Sequence, residues 1–531
     1  MTPSKNSPAK PTRSGDIENT SDTRADPPRE INATDWWTFS ATALTIVLFC
    51  GPLLLAPEVS AQVIQQAYAF LTDQFGVFYL WYGVGALAFL LYLAFGRFGR
   101  VRLGPIDSRP AYPTLSWVAM LFSTGIGAGL LYWAVIEWGY YYDAPPFGVE
   151  PRSPQAAEWA SSYGLFHWGV LAWAFYCLPT LAIAYAFYVR GVPYLRLSTG
   201  CTPYLPGGVN SRRGRFIDFL FMINLIGGTG TSLGLSTPMI AASLAEVTGL
   251  SHDFSLEVAV VVLCIGIFGT SAWLGLDRGI KRLSDFNLYL ALGLLFFVLA
   301  VGPSLFILKT GTNSIGLVLQ NFLRMSTWTD PFTSSRFVED WTVFYWAWWV
   351  AYGPFVGIFV TRISYGRTLR EVIGGMLVFG SLGAALFFIV FGNYALHLEL
   401  EGLLSVTSLM KEAGAETAIA SVFASLPLGA LALSAFFLMA VVFLATTYDS
   451  ASFTLASVAT RRLHAGESPA RWHRLFWAVA LGILPVTLMF VDGGLTVVLS
   501  TTIVVSLPLL LVGILLARSL LLQLREDHPP R

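Results

Sequence analysis

Charge is what this 531-residue chain has least of: 12% of its residues are charged, where soluble globular domains carry about 25%. Beside a hydrophobic content of 55%, that deficit excludes an ordinary soluble domain and points to the bilayer. The 32 basic and 32 acidic side chains cancel, so no nucleic-acid partner is indicated. Cysteine is scarce too. Cys50, Cys177, Cys201 and Cys264 lie in or beside apolar segments without paired spacing, and read as free buried thiols. The six histidines make no HxxxH cluster and the cysteines no CxxC pair, so neither a metal centre nor a cofactor is expected. No nucleophile–base pair is legible either, which argues against an enzyme. An apolar core near the start is also missing. Residues 1–35, rich in Pro, Ser, Thr and Asp, read as a disordered tail and not as a signal peptide.

What the chain does have is apolar stretches. A crossing helix needs about 20 such residues. Twelve candidates lie near 37–56, 76–96, 115–139, 163–189, 215–246, 255–274, 284–308, 340–363, 371–397, 427–459, 473–491 and 495–521. Basic residues near span ends mark the cytoplasmic side. With a cytoplasmic N-terminus, 22 Lys and Arg fall on the inner loops and C-terminal tail, five fall outside and five lie in the N-terminal tail. The pattern predicts a multi-pass protein of the cell (inner) membrane with both termini cytoplasmic. Its divisions are two peripheral helices and a linker (36–114), a first group of five (115–308), an outer loop (309–339), a second group of five (340–521) and a cytoplasmic tail (522–531). Within the outer loop, NSIGLVLQNFLRM (313–325) has apolar residues at helical spacing and predicts a surface amphipathic helix.

Two spans are irregular. The third carries FSTGIGAGLLYW, with Gly125, Gly127 and Gly129 at alternate positions. The eighth carries Ala351-Tyr352-Gly353-Pro354 in its middle. Glycine and proline both weaken a helix. These five residues are therefore candidates for gating backbone. The third and eighth spans are five apart, so spans 3–7 and 8–12 make two five-helix halves of opposite topology. Matched interruptions in two halves point to a transporter site near the midplane. Close packing through small residues is the plainer reading of either interruption alone.

Aromatic residues crowd the same places. Trp341, Trp346, Trp348 and Trp349 fall within nine residues, just before the Gly-Pro pair. In FHWGVLAWAFYCL of the fourth span, Trp168, Trp173 and Tyr176 lie within roughly 140° on a helix of 100° per residue. Interfacial anchoring explains Trp36 and Trp37 but not rings at mid-span. Ring faces attract a bulky cation with no N–H to donate, which suits a quaternary ammonium group. Glu137 is the one acid of the third span. It reads either as a functional polar group or as a carboxylate bonded to its neighbours near the span's end. His167 reads as a hydrogen-bonded core residue. In FLATTYDSASF of the tenth span, Thr446 and Thr447 offer hard oxygen donors for Na⁺, or else bond to carbonyls of their own helix.

WTVFYWAWWVAYGPFVGIFVTRISYGRTLRE (341–371), GIGAG, FHW with the following Trp and Tyr, TSLGL and TTYDS occur in the order found in the betaine/choline/carnitine transporter family. The chain resembles that family over roughly residues 36–520. The resemblance implies an all-α membrane protein with twelve spans, the last ten in a five-plus-five inverted repeat (a LeuT-like fold), often a homotrimer. It implies a secondary transporter importing a quaternary ammonium compound, with glycine betaine the first expectation and choline, carnitine or a sulfonium analogue next. By motif, the ammonium box comprises Trp168, Trp173, Tyr176 and Trp349, with Trp348 and Tyr352 alongside and Tyr140 from the end of span 3. A coupling Na⁺ falls to carbonyls near Ser123, Ile126 and Phe443 and to the hydroxyls of Thr446 and Thr447. IEWGYYYDAPPFG (136–148) is closer to the family's carnitine exchangers, which run without Na⁺. Those exchangers carry Met where Val356 stands and lack the Thr pair. Ile126 stands where the betaine symporters commonly have Met. The alternative to Na⁺ symport is therefore Na⁺-independent antiport.

Overall fold

The computed structural model describes residues 33–529 apart from 125–126, 275–276, 334, 462, 464–467 and 490–493. Its long elements are α1 (Trp36–Leu55), α2 (Pro57–Phe95), α3 (Thr114–Thr124), α4 (Ala128–Asp143), α5 (Pro154–His167), α6 (Val170–Tyr188), α7 (Arg212–Thr248), α8 (Phe254–Leu274), α9 (Asp277–Val301), α10 (Ser304–Thr327) and α11 (Phe344–Ile363). Then follow α12 (Leu369–Gly375), α13 (Ser381–Phe387), α14 (Asn393–Leu400), α15 (Val406–Glu412), α16 (Ala415–Ala424), α17 (Gly429–Val458), α18 (Arg471–Met489) and α19 (Gly494–Asp527). Among the described residues, extended pairing is limited to two isolated bridges, Thr34–Thr460 and Arg102–Thr368.

Among the described residues, each of the twelve apolar stretches lies mostly on helix. Among the described residues eight helices are long and apolar enough to cross a membrane, or ten if each of two bent pairs is one span. Boundaries differ from the sequence reading where polarity hides helix. α2 has 39 residues, about 58 Å at 1.5 Å per residue. Its first half carries Glu58, Gln62, Gln65, Gln66 and Asp73, good or tolerable helix residues that an apolar count skips. The seventh span ends at Val301, not near 308, because the chain turns at Gly302-Pro303 and re-enters helix at an angle of 111°. The amphipathic helix is therefore the 24-residue α10. At the C-terminus α19 runs through residues 522–527, where a tail was expected. Arg190 on the chain after α6 pairs with Glu526 and Asp527, each at 2.7 Å, and Tyr185 donates to Asp527 at 2.7 Å.

Burial sorts the helices. Within its most apolar window the α5–α6 stretch is 89% buried and the stretch leading into α11 83%, whereas α1 is 22% buried. α4, α6, α7 and α11 thus make the centre. α1 shows Leu44, Val47, Leu48, Leu54 and Leu55 on its surface, as a lipid-facing peripheral helix should.

The eighth span corrects the sequence reading. One α-helix runs unbroken from Phe344 to Ile363 through Gly353-Pro354. Its irregularity lies before it, in a π-helical turn at Val338–Val343. Proline removes a single backbone bond, and close packing on α6 offsets that loss. A Cβ on Gly353 would lie 2.9 Å from the Phe175 carbonyl oxygen, and one on Gly357 3.0 Å from the Thr180 nitrogen. Small-residue packing therefore accounts for Gly353, and the matched pair of interruptions has one member here, the third span.

Candidate functional site

Two helix breaks frame the site. α3 and α4 differ in direction by 63°. Gly127 precedes α4 in extended backbone (φ −150°, ψ 173°); Gly125 and Ile126 lie outside the described residues. The second break was not legible in the sequence. It separates α5 from α6 at Trp168-Gly169. A Cβ on Gly169 would stand 2.4 Å from the Leu165 carbonyl oxygen, so the turn is closed to any side chain there. Trp168 thus sits on a discontinuity in the middle of the bundle.

The rings named from sequence gather around it. Trp348 and Trp349 stack with centroids 5.1 Å apart and planes 11° apart. Tyr345, one turn earlier on α11, extends the stack at 5.6 Å from Trp349 and 6.2 Å from Trp348. Trp168 stands across that stack, 4.7 Å from Trp349 at 72° and 5.8 Å from Trp348 at 80°. Tyr176 meets Trp349 at 5.8 Å, and Trp173 lies behind Tyr176 at 5.5 Å. Tyr352 approaches Trp348 edge-on at 6.4 Å. Phe388, from a π-helical turn at Phe388–Gly392, adds a further ring 5.8 Å from Trp168.

Tyr140 does not join directly. It packs on Trp341 at 5.1 Å and Trp133 at 6.1 Å, and Trp133 links it onward to Tyr345. Tyr140 sits far along α4 from the point where that helix meets Trp348. Gly129 is the α4 residue that flanks Trp348, at 3.4 Å from a Cβ built on it. Tyr140 is eleven residues further, about 16 Å along the helix axis.

Polar groups fix the rings in place. The Trp349 indole donates to the His167 carbonyl at 2.9 Å and the Trp348 indole to the Gly228 carbonyl at 3.2 Å. A Cβ on Gly228 would lie 2.8 Å from the Tyr352 ring, so only glycine lets α7 approach that closely. Glu137 is fully buried and accepts from Trp168 Nε1 (3.1 Å), Tyr345 OH (2.5 Å) and Tyr141 OH (2.6 Å). It is thus bonded to its neighbours, and two of those neighbours are cluster rings. His167 bonds Tyr141 at 3.0 Å and Thr342 at 3.1 Å, as a core histidine would. Tyr345 was overlooked in sequence, although i, i+3 and i, i+4 spacing to Trp348 and Trp349 was there to find it.

In the tenth span, Thr446 and Thr447 both donate to the Phe443 carbonyl, at 3.0 and 2.8 Å. The local hydrogen-bond reading is therefore realised. A hydroxyl that donates its proton still has lone pairs free, so these half-buried oxygens remain chemically fit for a hard cation. Ser123 donates to the Ala119 carbonyl at 2.8 Å in the same way.

Comparison with known proteins matches residues 37–529 to a family model described as BCCT, betaine/carnitine/choline family transporter. The chain is 38% identical to the uncharacterized transporter YeaV of Escherichia coli K12, over 83% of this chain and 92% of that protein. It is 33% identical to a carnitine transporter of Acinetobacter baumannii, over 93% and 90%. It is 35% identical to the glycine betaine transporter OpuD of Bacillus subtilis, over 94% and 96%. A match spanning nearly the whole chain, on top of an all-helical structure with an aromatic cluster at two helix breaks, makes this a multi-pass membrane transporter and not an enzyme: the chain belongs to the BCCT family, the betaine/carnitine/choline family transporters.

Proposed function

We propose that the protein imports a quaternary ammonium compound, with glycine betaine as the first candidate, driven by an inward Na⁺ gradient. The observation that carries this reading is the Trp348–Trp349–Tyr345 stack with Trp168 standing across it. Such a group offers several π faces to one methylated cation, each contact worth about 0.5–2 kcal/mol. Relatives named for carnitine and glycine betaine support the same class of cargo.

The transport cycle of this proposal runs through the two helix breaks. Cargo binds between the α3–α4 break and the centre of α11. The rings in contact with one another must part to admit it, and the break at Trp168-Gly169 gives Trp168 a place to pivot. Na⁺ binds the Thr446 and Thr447 hydroxyls with carbonyls of Phe443 and of the glycine run, including Ser123 and Ile126. Joint occupancy favours the change from outward to inward access. The twelve-span inverted-repeat arrangement, cytoplasmic termini and a trimeric assembly belong to this proposal.

Antiport without Na⁺ is the second reading, favoured by IEWGYYYDAPPFG. Uptake of radiolabelled glycine betaine, choline and carnitine into proteoliposomes, with and without a Na⁺ gradient, tests both. Uptake requiring external Na⁺ supports symport. Uptake requiring only internal substrate selects antiport, and transport of none of the three overturns the assignment.

A further inference from the structure

Glu137 is buried beside the ring cluster. Among the described residues, its one basic neighbour within 4.0 Å is His167, at 3.6 Å. Three donors converge on its two oxygens: the Tyr345 and Tyr141 hydroxyls at 2.5 and 2.6 Å and the Trp168 indole at 3.1 Å. His167 meets the Tyr141 hydroxyl through Nδ1 at 3.0 Å and the Thr342 hydroxyl through Nε2 at 3.1 Å. An ionised carboxylate buried there would call for a counter-charge, and Glu137 lies directly behind two rings of the cluster.

We propose that Glu137 is a specificity-determining positioning residue whose counter-charge is the cargo itself. Through the Trp168 N–H and the Tyr345 O–H it orients both rings and pushes electron density toward their faces, so the site prefers a molecule bearing positive charge over a neutral molecule of the same shape. The carboxylate does not touch the cargo. It acts by polarising hydrogen-bonded rings and by leaving the cavity net negative until a cation arrives.

This inference rests on the proposed quaternary ammonium cargo, and the experiment separates the two. Two probe pairs differ only in nitrogen against carbon: choline with 3,3-dimethyl-1-butanol, and glycine betaine with 3,3-dimethylbutyrate. Binding of each to the purified full-length protein is followed by tryptophan fluorescence and by competition against uptake in proteoliposomes. In the unaltered protein the nitrogen member should win in at least one pair; if it does not, the function reading itself has failed. Glu137→Gln keeps the shape and loses the charge. It should cut the nitrogen-over-carbon preference roughly ten-fold, with the carbon member's affinity changed less than about two-fold. Trp168→Phe and Tyr345→Phe each keep a ring and lose one bond to Glu137, and each should lower the same preference part-way. They carry the test if Glu137→Gln does not fold. An equal loss of affinity for both members of a pair, in all variants that fold, means a structural role only and overturns the proposal.

Discussion

The α-carbon of Gly380 lies against the indole of Trp173: a Cβ there would stand 2.3 Å from the ring. Gly380 ends a π-helical turn at Met376–Gly380 between α12 and α13, so a local widening of the helix there brings its backbone onto the ring cluster. Trp173 in turn backs Tyr176. Gly380→Ala should displace Trp173, lower stability by about 1–3 kcal/mol through overpacking and weaken cargo binding. Gly374→Ala meets open space and serves as the control. A thermal-melt series with binding measured on both variants checks the pair; equal behaviour of the two would refute the contact.

Trp349 touches Trp168, Trp348, Tyr345 and Tyr176. Trp349→Leu removes one cation–π face, worth about 0.5–2 kcal/mol, and the bond to His167. Apparent KM for the transported compound should rise by an order of magnitude, with protein yield and monodispersity retained. Unaltered uptake kinetics would count against the cage.

Gly353 and Pro354 separate packing from gating. Pro354→Ala restores a backbone donor inside a helix that is already continuous, so stability should hold or improve and turnover should persist. Gly353→Ala meets the Phe175 carbonyl at 2.9 Å and should lower the melting temperature. Stopped-flow or initial-rate uptake decides. Collapse of turnover in Pro354→Ala with normal stability would reinstate a hinge at this position.

Because the Thr446 and Thr447 hydroxyls, among the described residues, bond to their own helix, replacing both by Ala should change stability by less than about 1 kcal/mol. The same double variant should raise the Na⁺ concentration needed for half-maximal uptake at least ten-fold, while Thr→Ser at both positions stays near the unaltered value. A Na⁺ titration of uptake is the measurement. No change in it would favour antiport.

The end of α19 is held by partly exposed ion pairs to Arg190. Exposed pairs contribute about 0–1 kcal/mol. Arg190→Gln should therefore leave global melting almost unchanged, yet speed tryptic cleavage at Arg525 several-fold. Equal cleavage rates would show that packing alone holds the helix end.

The sequence by itself determined the solvent, the helical class and most of the ring inventory. Apolar length and low charge decide those matters locally, residue by residue, and spacing along α6 already put Trp173 and Tyr176 on one side. It did not determine which irregularities become breaks. Gly-Pro at 353–354 and the plain pair Trp168-Gly169 can each be straight or broken in isolation; contact with α6 keeps the first straight, and the second opens where Leu165 and Gly169 meet. Nor did it determine the partners of Glu137. Those partners come from α4, α11 and the α5–α6 junction, more than 200 residues apart at the extreme, and only tertiary packing brings them within hydrogen-bond reach. Chain-local physics fixes composition and period; the placement of a charge behind a ring depends on how distant helices cross.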